Sequence, residues 1–206
     1  MTILRTTLLV TGAAFALSGC GALSLISKAQ EFDALSAEVN ALSTTPTANM
    51  PTNSSARYTG NAQIAADYGT NSNVGFIGDS DLTANFTSTG GTIVGTLNNF
   101  SGLELNASQR AQFENGELPD NILTSAKRAD GSIAIDGSFF GPAIAASANG
   151  ELEMGGSTYA VSGLVEGEFR GNNAEAVRMT ESTGFTMRQD GVAPTSGTTT
   201  EILGKQ

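Results

Sequence analysis

Cys20 is the only cysteine in the 206-residue chain, and it stands behind Leu17, Ser18 and Gly19 at the end of an apolar run. A thiolate is a strong nucleophile. Flanked by small residues that leave the backbone open to approach, it is a nucleophile used once in the chain. The other residues with chemical potential are carboxylates. Asp79 and Asp81 are oxygen donors of the kind Ca²⁺ takes, although calcium wants six or more oxygens, usually from a loop. Glu166 with Glu168, and Glu151 with Glu153, repeat the same spacing. Paired carboxylates hydrolyse glycosides when they oppose one another across a cleft. A spacing of two in a strand instead puts both groups on one solvated face, and that is the plainer reading of all three pairs. Ser138 and Lys127 are the nearest approach to a serine–lysine pair, but no Ser-x-x-Lys motif occurs. Histidine is absent, which removes the usual general base, the commonest metal ligand and the usual pH switch. Gly-x-Gly patterns fall inside strand-like runs rather than ahead of helices, so they form no phosphate cradle. The expectation is a chain with no catalytic set, no metal and no cofactor, and no enzyme activity.

The elements that position Cys20 come first. Residues 1–19 read as a secretion signal, with Arg5 as the positive region and residues 8–17 as an apolar stretch too short to span a bilayer. Leu17-Ser18-Gly19-Cys20 resembles a lipobox, the cleavage site of bacterial lipoproteins. That resemblance implies that Cys20 becomes the first residue and carries lipid on its sulfur and its amine. Several acyl chains anchor stably where one is marginal. The resemblance to Gram-negative lipoproteins, with Gly21 rather than Asp after the cysteine, implies sorting to the outer membrane. A plain secretory signal with an incidental cysteine is the alternative.

Composition then bounds the body. The length suits one domain with a core. Glycine is abundant (25 residues), charged residues are few (15%) and tryptophan is absent. With many Ser, Thr and Asn, this favours short strands and tight turns. The formal charge is -10, which repels phosphate backbones, so nucleic acid is excluded as a partner. It also disfavours a protein held on anionic lipid by charge alone.

One helix is legible. Leu25, Phe32, Leu35, Val39 and Leu42 recur at helical spacing and share a face. Either this helix packs on its own domain, or it acts as a stalk or self-associating segment near the membrane. Pro46, Pro51 and the Ser, Thr and Asn around them suggest a linker giving the body reach. From Tyr58 onward period-two alternation dominates. Inward faces are expected at Tyr58, Gly60, Ala62, Ile64 and Ala66; at Phe76, Gly78, Ser80, Leu82, Ala84 and Phe86; at Ile93, Gly95 and Leu97; at Ile133, Ile135, Gly137 and Phe139; and at Tyr159, Val161, Gly163, Val165, Gly167 and Phe169. The run at residues 184–189 is expected to close the sheet. Asn106 is expected to cap a short helix ending at Asn115-Gly116. Glycines on inward faces suit the sharp bends of a small closed barrel, and closure removes exposed edges. The expected fold is mainly β: an antiparallel barrel of about eight strands, preceded by an amphipathic helix and linker. Polar outward positions without aromatic girdles argue against a membrane-spanning barrel.

Two stretches of this barrel are similar to one another. Gly137, Phe139, Gly141, Pro142 and Ala143 form one Gly-x-Phe-x-Gly element; Gly167, Phe169, Gly171, Asn173 and Ala174 form another. Both resemble the repeated element of the transferrin-binding protein B-like β-barrel lipoproteins, as does residues 93–102 ahead of them. The resemblance spans about residues 57–189 together with the lipobox. It departs at Glu153-Met154-Gly155-Gly156, where the family's closing acidic and glycine pattern is only partly kept, and there is room for one barrel rather than a two-lobed receptor. Transferrin binding therefore does not carry over. What the resemblance implies is a signal peptide over 1–19, a lipidated N-terminus with helix and linker over 20–56, and a binding barrel over 57–206. The expected partners are outer-membrane lipid, through the acylated cysteine, and an extracellular protein or small ligand. Contact is expected in loops near 69–75, 98–131 and 171–183. The competing expectation is a periplasm-facing structural or assembly lipoprotein that works through residues 24–42.

Overall fold

The alternating runs do become strands, and the strands close on themselves. The structure is a computed structural model that describes residues 20–69, 72–114 and 125–206, and only the backbone of residues 20–23, 110, 113 and 114. Leu17, Ser18, Gly19 and the rest of the expected signal segment lie outside the described residues, as does the expected helix stop at Asn115-Gly116. The strands are β1 (Ser54–Asp67), β2 (Asn73–Phe86), β3 (Gly90–Leu105), β4 (Lys127–Arg128), β5 (Asp130–Phe140), β6 (Ala143–Met154), β7 (Ser157–Arg170), β8 (Ala176–Glu181), β9 (Thr186–Gln189) and β10 (Thr198–Lys205). Eight of them, β1, β2, β3, β5, β6, β7, β8 and β10, form a closed antiparallel barrel in which each pairs with the next and β10 returns to β1. The last run is a correction. β9 pairs only with β7, beside the part of β7 that β8 does not reach, and the sheet is closed by β10 against β1.

The large residues of every inward face named from alternation are inward; Gly60 differs, since a Cβ there would meet Leu35 of the N-terminal helix and the Leu203 carbonyl rather than the core. Tyr58, Phe76, Leu82, Ile93, Leu97, Ile133, Ile135, Tyr159, Val165 and Phe169 are buried in one core. Aromatic rings fill both ends of the barrel. At one end Tyr58, Phe86, Phe139 and Phe169 form a cluster with centroid separations of 4.8–5.8 Å. At the other, Phe76 meets Tyr159 at 5.0 Å and Phe100 at 6.4 Å. An eight-stranded barrel is just wide enough for its own side chains, and here the rings occupy that width, so the core is packed rather than a ligand lumen. Gly137 and Gly167 lie where neighbouring backbone comes close. A Cβ at Gly137 would overlap Ala146, and one at Gly167 would overlap the Arg178 carbonyl and Met179.

The end holding the Phe139–Phe169 cluster, here the lower end, gathers the β2–β3, β5–β6 and β7–β8 turns. The upper end gathers the β1–β2 and β6–β7 turns, β4 and α2 (Ala107–Glu114). α2 starts as expected: the Gln109 amide donates to Asn106 Oδ1 (2.9 Å), and the Asn106 amide donates to Gln109 Oε1 (3.1 Å), a reciprocal cap.

α1 (Cys20–Ala41) lies along the outside of the barrel. Phe32 and Val39 are buried with Leu35 and Leu42 against Ala176 and Leu203. Lys28, itself buried, is ion-paired with Asp79, and Lys205 with Glu38 (2.8 Å). Arg170 donates to the carbonyls of Leu42 (3.1 Å) and Val39 (3.4 Å), closing the helix C-terminus with a cation. Of the two readings of this helix, packing on its own domain is the observed one. Residues 43–53 are likewise not a free linker. Thr45 is buried and bonded to the barrel, so the reach expected of this segment is taken up against the lower end.

All three tyrosines are tied into this structure, and their phenols titrate late. Burial pushes Tyr58 up to about 12, with a hydrogen bond from Gln206 opposing it. Burial, with Glu104 and Asp190 nearby, pushes Tyr159 up to about 12. Tyr68 is raised further, again by burial first. A phenol whose folded pKa exceeds its unfolded value of 10.0 contributes stability that is complete below pH 10 and lost as pH rises through the folded pKa. Phenolate absorbance at 295 nm is therefore expected to stay flat through pH 10 and then rise together with loss of the β circular dichroism. A normal titration centred at pH 10 in the folded state would contradict this packing.

Candidate functional site

The two glycine–phenylalanine elements meet at the lower end. β6 and β7 are neighbours, and the Phe169 amide donates to the Pro142 carbonyl at 2.9 Å. In each copy the phenylalanine enters the core, Phe139 and Phe169 touching edge to face at 4.8 Å. The last glycine makes the turn with a left-handed backbone, φ +55° at Gly141 and +86° at Gly171. Residues 43–53 then fold over these turns. The Gly171 amide donates to Ser43 O (2.9 Å), the Thr45 amide to Phe169 O (2.9 Å) and the Thr45 hydroxyl to Gly171 O (2.8 Å). Thr44 pairs with Arg170 and donates its hydroxyl to Glu168 (2.6 Å). The elements thus fill the barrel end and provide the backbone groups that seat the segment crossing it.

A cleft of about 190 Å³ opens where this crossing segment leaves the barrel. It runs between Thr47, Met50, Pro51 and Thr52 on one side, the β2–β3 turn (Thr87 to Gly90) on another, and Phe139, Phe140 and Gly141 on the third. Phe140 is the outward neighbour of Phe139 and is 77% exposed. The cleft offers apolar surface and hydroxyl groups, and no ionisable side chain lines it. Such a lining suits an uncharged or apolar group held by contact and hydrogen bonding; it has nothing to move a proton.

The carboxylate pairs fall elsewhere, on the outside of strands. Asp79 is held by Lys28 and accepts from Asn99 Nδ2 (2.7 Å). Asp81 takes a two-pronged contact from Arg57 (2.7 and 2.6 Å), and the hydrogen bond to that guanidinium is the main cause holding its carboxyl below the usual range. Both carboxylates of the calcium candidate are thus already answered by cations, and among the described residues no group of acids is arranged to hold a metal. Millimolar calcium is expected to leave the melting temperature unchanged; a rise of several degrees would show that the ion displaces Lys28 or Arg57. Glu168 is bonded to Arg170 (2.7 Å) as well as Thr44, and Glu166, two residues before it, faces solvent on the same strand rather than opposing it across a cleft. Glu151 and Glu153 are exposed on β6. Ser138, near the lower end of β5, and Lys127, in β4 at the upper end, are not brought together.

The expected contact loops need correcting. β2 begins at Asn73, so the end of 69–75 is strand. β3 continues to Leu105 and β4 and β5 begin at Lys127 and Asp130, so both ends of 98–131 are strand. Residues 176–181 are barrel strand β8 rather than loop. The cleft was not anticipated. A signal for it existed in Phe139-Phe140: in an alternating strand one of two adjacent aromatics must face outward. Cys20 is the first residue of α1, at the upper end of the barrel. Compared with known proteins, the chain matches no family model and no curated sequence.

Proposed function

We propose that this chain is a surface-exposed outer-membrane lipoprotein, anchored through acylated Cys20, whose barrel binds an extracellular protein at the lower end. The observation that carries the reading is the exposed Phe140 beside an uncharged cleft. A solvent-facing aromatic next to a pocket is the usual form of an interface anchor. The cleft is smaller than the roughly 300–1,000 Å³ of small-molecule sites, and the barrel interior is occupied by its own rings. Both facts favour a protein that inserts one side chain over a nutrient bound whole. The lipobox resemblance supplies the anchor, and the similarity of the two glycine–phenylalanine elements to the transferrin-binding protein B-like barrels supports a binding rather than catalytic use of the fold.

The alternative, a periplasmic assembly lipoprotein acting through α1, has less support. A partner of that helix would have to displace Phe32 and Val39 from the barrel wall.

Labelling of intact cells with a membrane-impermeant amine reagent is expected to modify the protein; protection until the outer membrane is broken would defeat surface exposure. Captured with the soluble barrel, an extracellular partner is expected to bind the Phe140→Ser variant about thirtyfold more weakly, the loss of a typical hot spot of about 2 kcal/mol. The melting temperature should hold, because Phe140 is already in water. A partner bound equally well by the variant would move the site away from this cleft.

A further inference from the structure

We infer that in the acylated protein the barrel stands on the membrane on its upper end, with the Phe140 cleft pointing away into water. This rests on the anchoring proposed above and adds an orientation to it. The bilayer is the partner of the upper end, and a soluble protein is left the lower one.

The argument is the course of α1. At about 1.5 Å per residue, its 22 residues span roughly 33 Å. β7, with 14 residues at about 3.3 Å each and tilted by about 40°, gives a barrel height of roughly 35 Å. The helix therefore runs the height of the wall, and it is fixed at both ends. Near its start, Ser24 meets Ser101 (3.0 Å) in the part of β3 that pairs with β4, and Lys28 meets Asp79. Near its end, Glu38 meets Lys205, and Arg170 holds the last carbonyls. Phe32 and Val39 are buried between these points. From Cys20 to Ser24, the first described side-chain contact, the helical rise is about 6 Å, so the tether has almost no slack. Attachment at two separated points also fixes the direction of the barrel axis relative to the anchor. A free stalk of the same length would leave both ends equally able to face the bilayer.

Cys20 is the only cysteine and its sulfur is blocked by lipid, so an added cysteine takes a single fluorophore. Glu153→Cys marks the upper end and Ser88→Cys the lower one; both positions are exposed. The full acylated chain is placed in vesicles of phosphatidylethanolamine and phosphatidylglycerol bearing a headgroup-linked energy acceptor. Transfer is expected to be strong from position 153 and several-fold weaker from position 88. A twenty-residue Gly-Ser insertion ahead of Ser24, with a root-mean-square reach of about 25 Å, keeps the described contacts of α1 and is expected to abolish the difference. Equal transfer from both positions without the insertion, or stronger transfer from position 88, overturns the orientation while leaving the anchor intact. A mass for the purified chain without fatty acid on Cys20 overturns the anchoring, and the orientation with it.

Discussion

Replacing Phe139 by alanine is expected to cost about 3–5 kcal/mol, the usual range for removing a buried phenylalanine ring, whereas the same change at the next residue, Phe140, should cost well under 1 kcal/mol. The two side chains are adjacent in sequence and identical in chemistry, so the contrast isolates burial. Phe139 is 6% exposed and lies between Phe86 (5.1 Å) and Phe169 (4.8 Å). Deleting it leaves a gap lined by rings that β-strand backbones cannot close. The loss is a large share of the roughly 5–15 kcal/mol that holds a domain folded, and for a chain of this size it corresponds to a fall in melting temperature of some 10 °C. Phe169→Ala should behave like Phe139→Ala, because its ring meets Tyr58, Phe86 and Phe139. The double variant is expected to cost less than the sum of the two, since each ring's removal takes away part of the other's packing. Urea denaturation of the four variants measures this. Equal effects at residues 139 and 140 would mean that the register of β5 is wrong, and with it the position of the cleft.

Much of this architecture was legible in the sequence, and where it was not the reasons are physical. Alternation revealed strands with one face in the core and one in water, as with Phe76, Leu82 and Phe86 in β2 or Val161, Val165 and Phe169 in β7. It failed for β8 and β10, which carry apolar residues on both faces. In β8, Ala176 lies under α1 and its neighbour Val177 in the barrel core; in β10, Leu203 lies under α1 and Ile202 in the core. A strand covered on its outer side by a helix loses the period-two signal. β10 also points threonines inward. Thr200 is buried because its hydroxyl donates to Gln63 O (2.8 Å), and Thr198 because its oxygen accepts from the Met187 amide (2.9 Å). β6 escaped notice for another reason: its outward Ala143 and Ala145 differ little from its inward Ala146 and Ala148. The helical face of α1 was plain from spacing, but its partner was not, since the barrel surface it meets is assembled from strands far apart in sequence, β1, β2 and β3 as well as β8 and β10. The docking of residues 43–53 was similarly hidden. It depends on backbone groups of Phe169 and Gly171, and hydrogen bonds to main chain leave little trace in composition. The cleft, formed between that segment and two turns, inherits the same obscurity.

Removal of the Cys20 thiol is expected to produce the largest change of all, the complete transfer of the protein from membrane to soluble fraction. Each buried methylene of an acyl chain contributes about 0.8 kcal/mol, and several chains on one residue hold a protein firmly where one does not. Nothing else described in the chain replaces that grip: among the described residues no helix is long and apolar enough to cross a membrane, and the chain's acidic balance gives no electrostatic hold on anionic lipid. The variant is best made as Cys20→Ala behind a leader that is cleaved without acylation, so that an uncleaved apolar segment of residues 8–17 does not act as a substitute anchor. Its melting temperature should match that of the acylated chain within a degree or two, because the described contacts of α1 with the barrel run from Ser24 onward. Fractionation after a high-salt wash reads the first expectation and a thermal melt the second. Retention of the variant in the membrane pellet would locate the anchor in some other part of the molecule, and both the surface assignment and the upright barrel would fall together. Release with an unchanged melt would separate the two roles of the N-terminal region: the cysteine for attachment, and the helix behind it for holding the barrel in one attitude above the lipid.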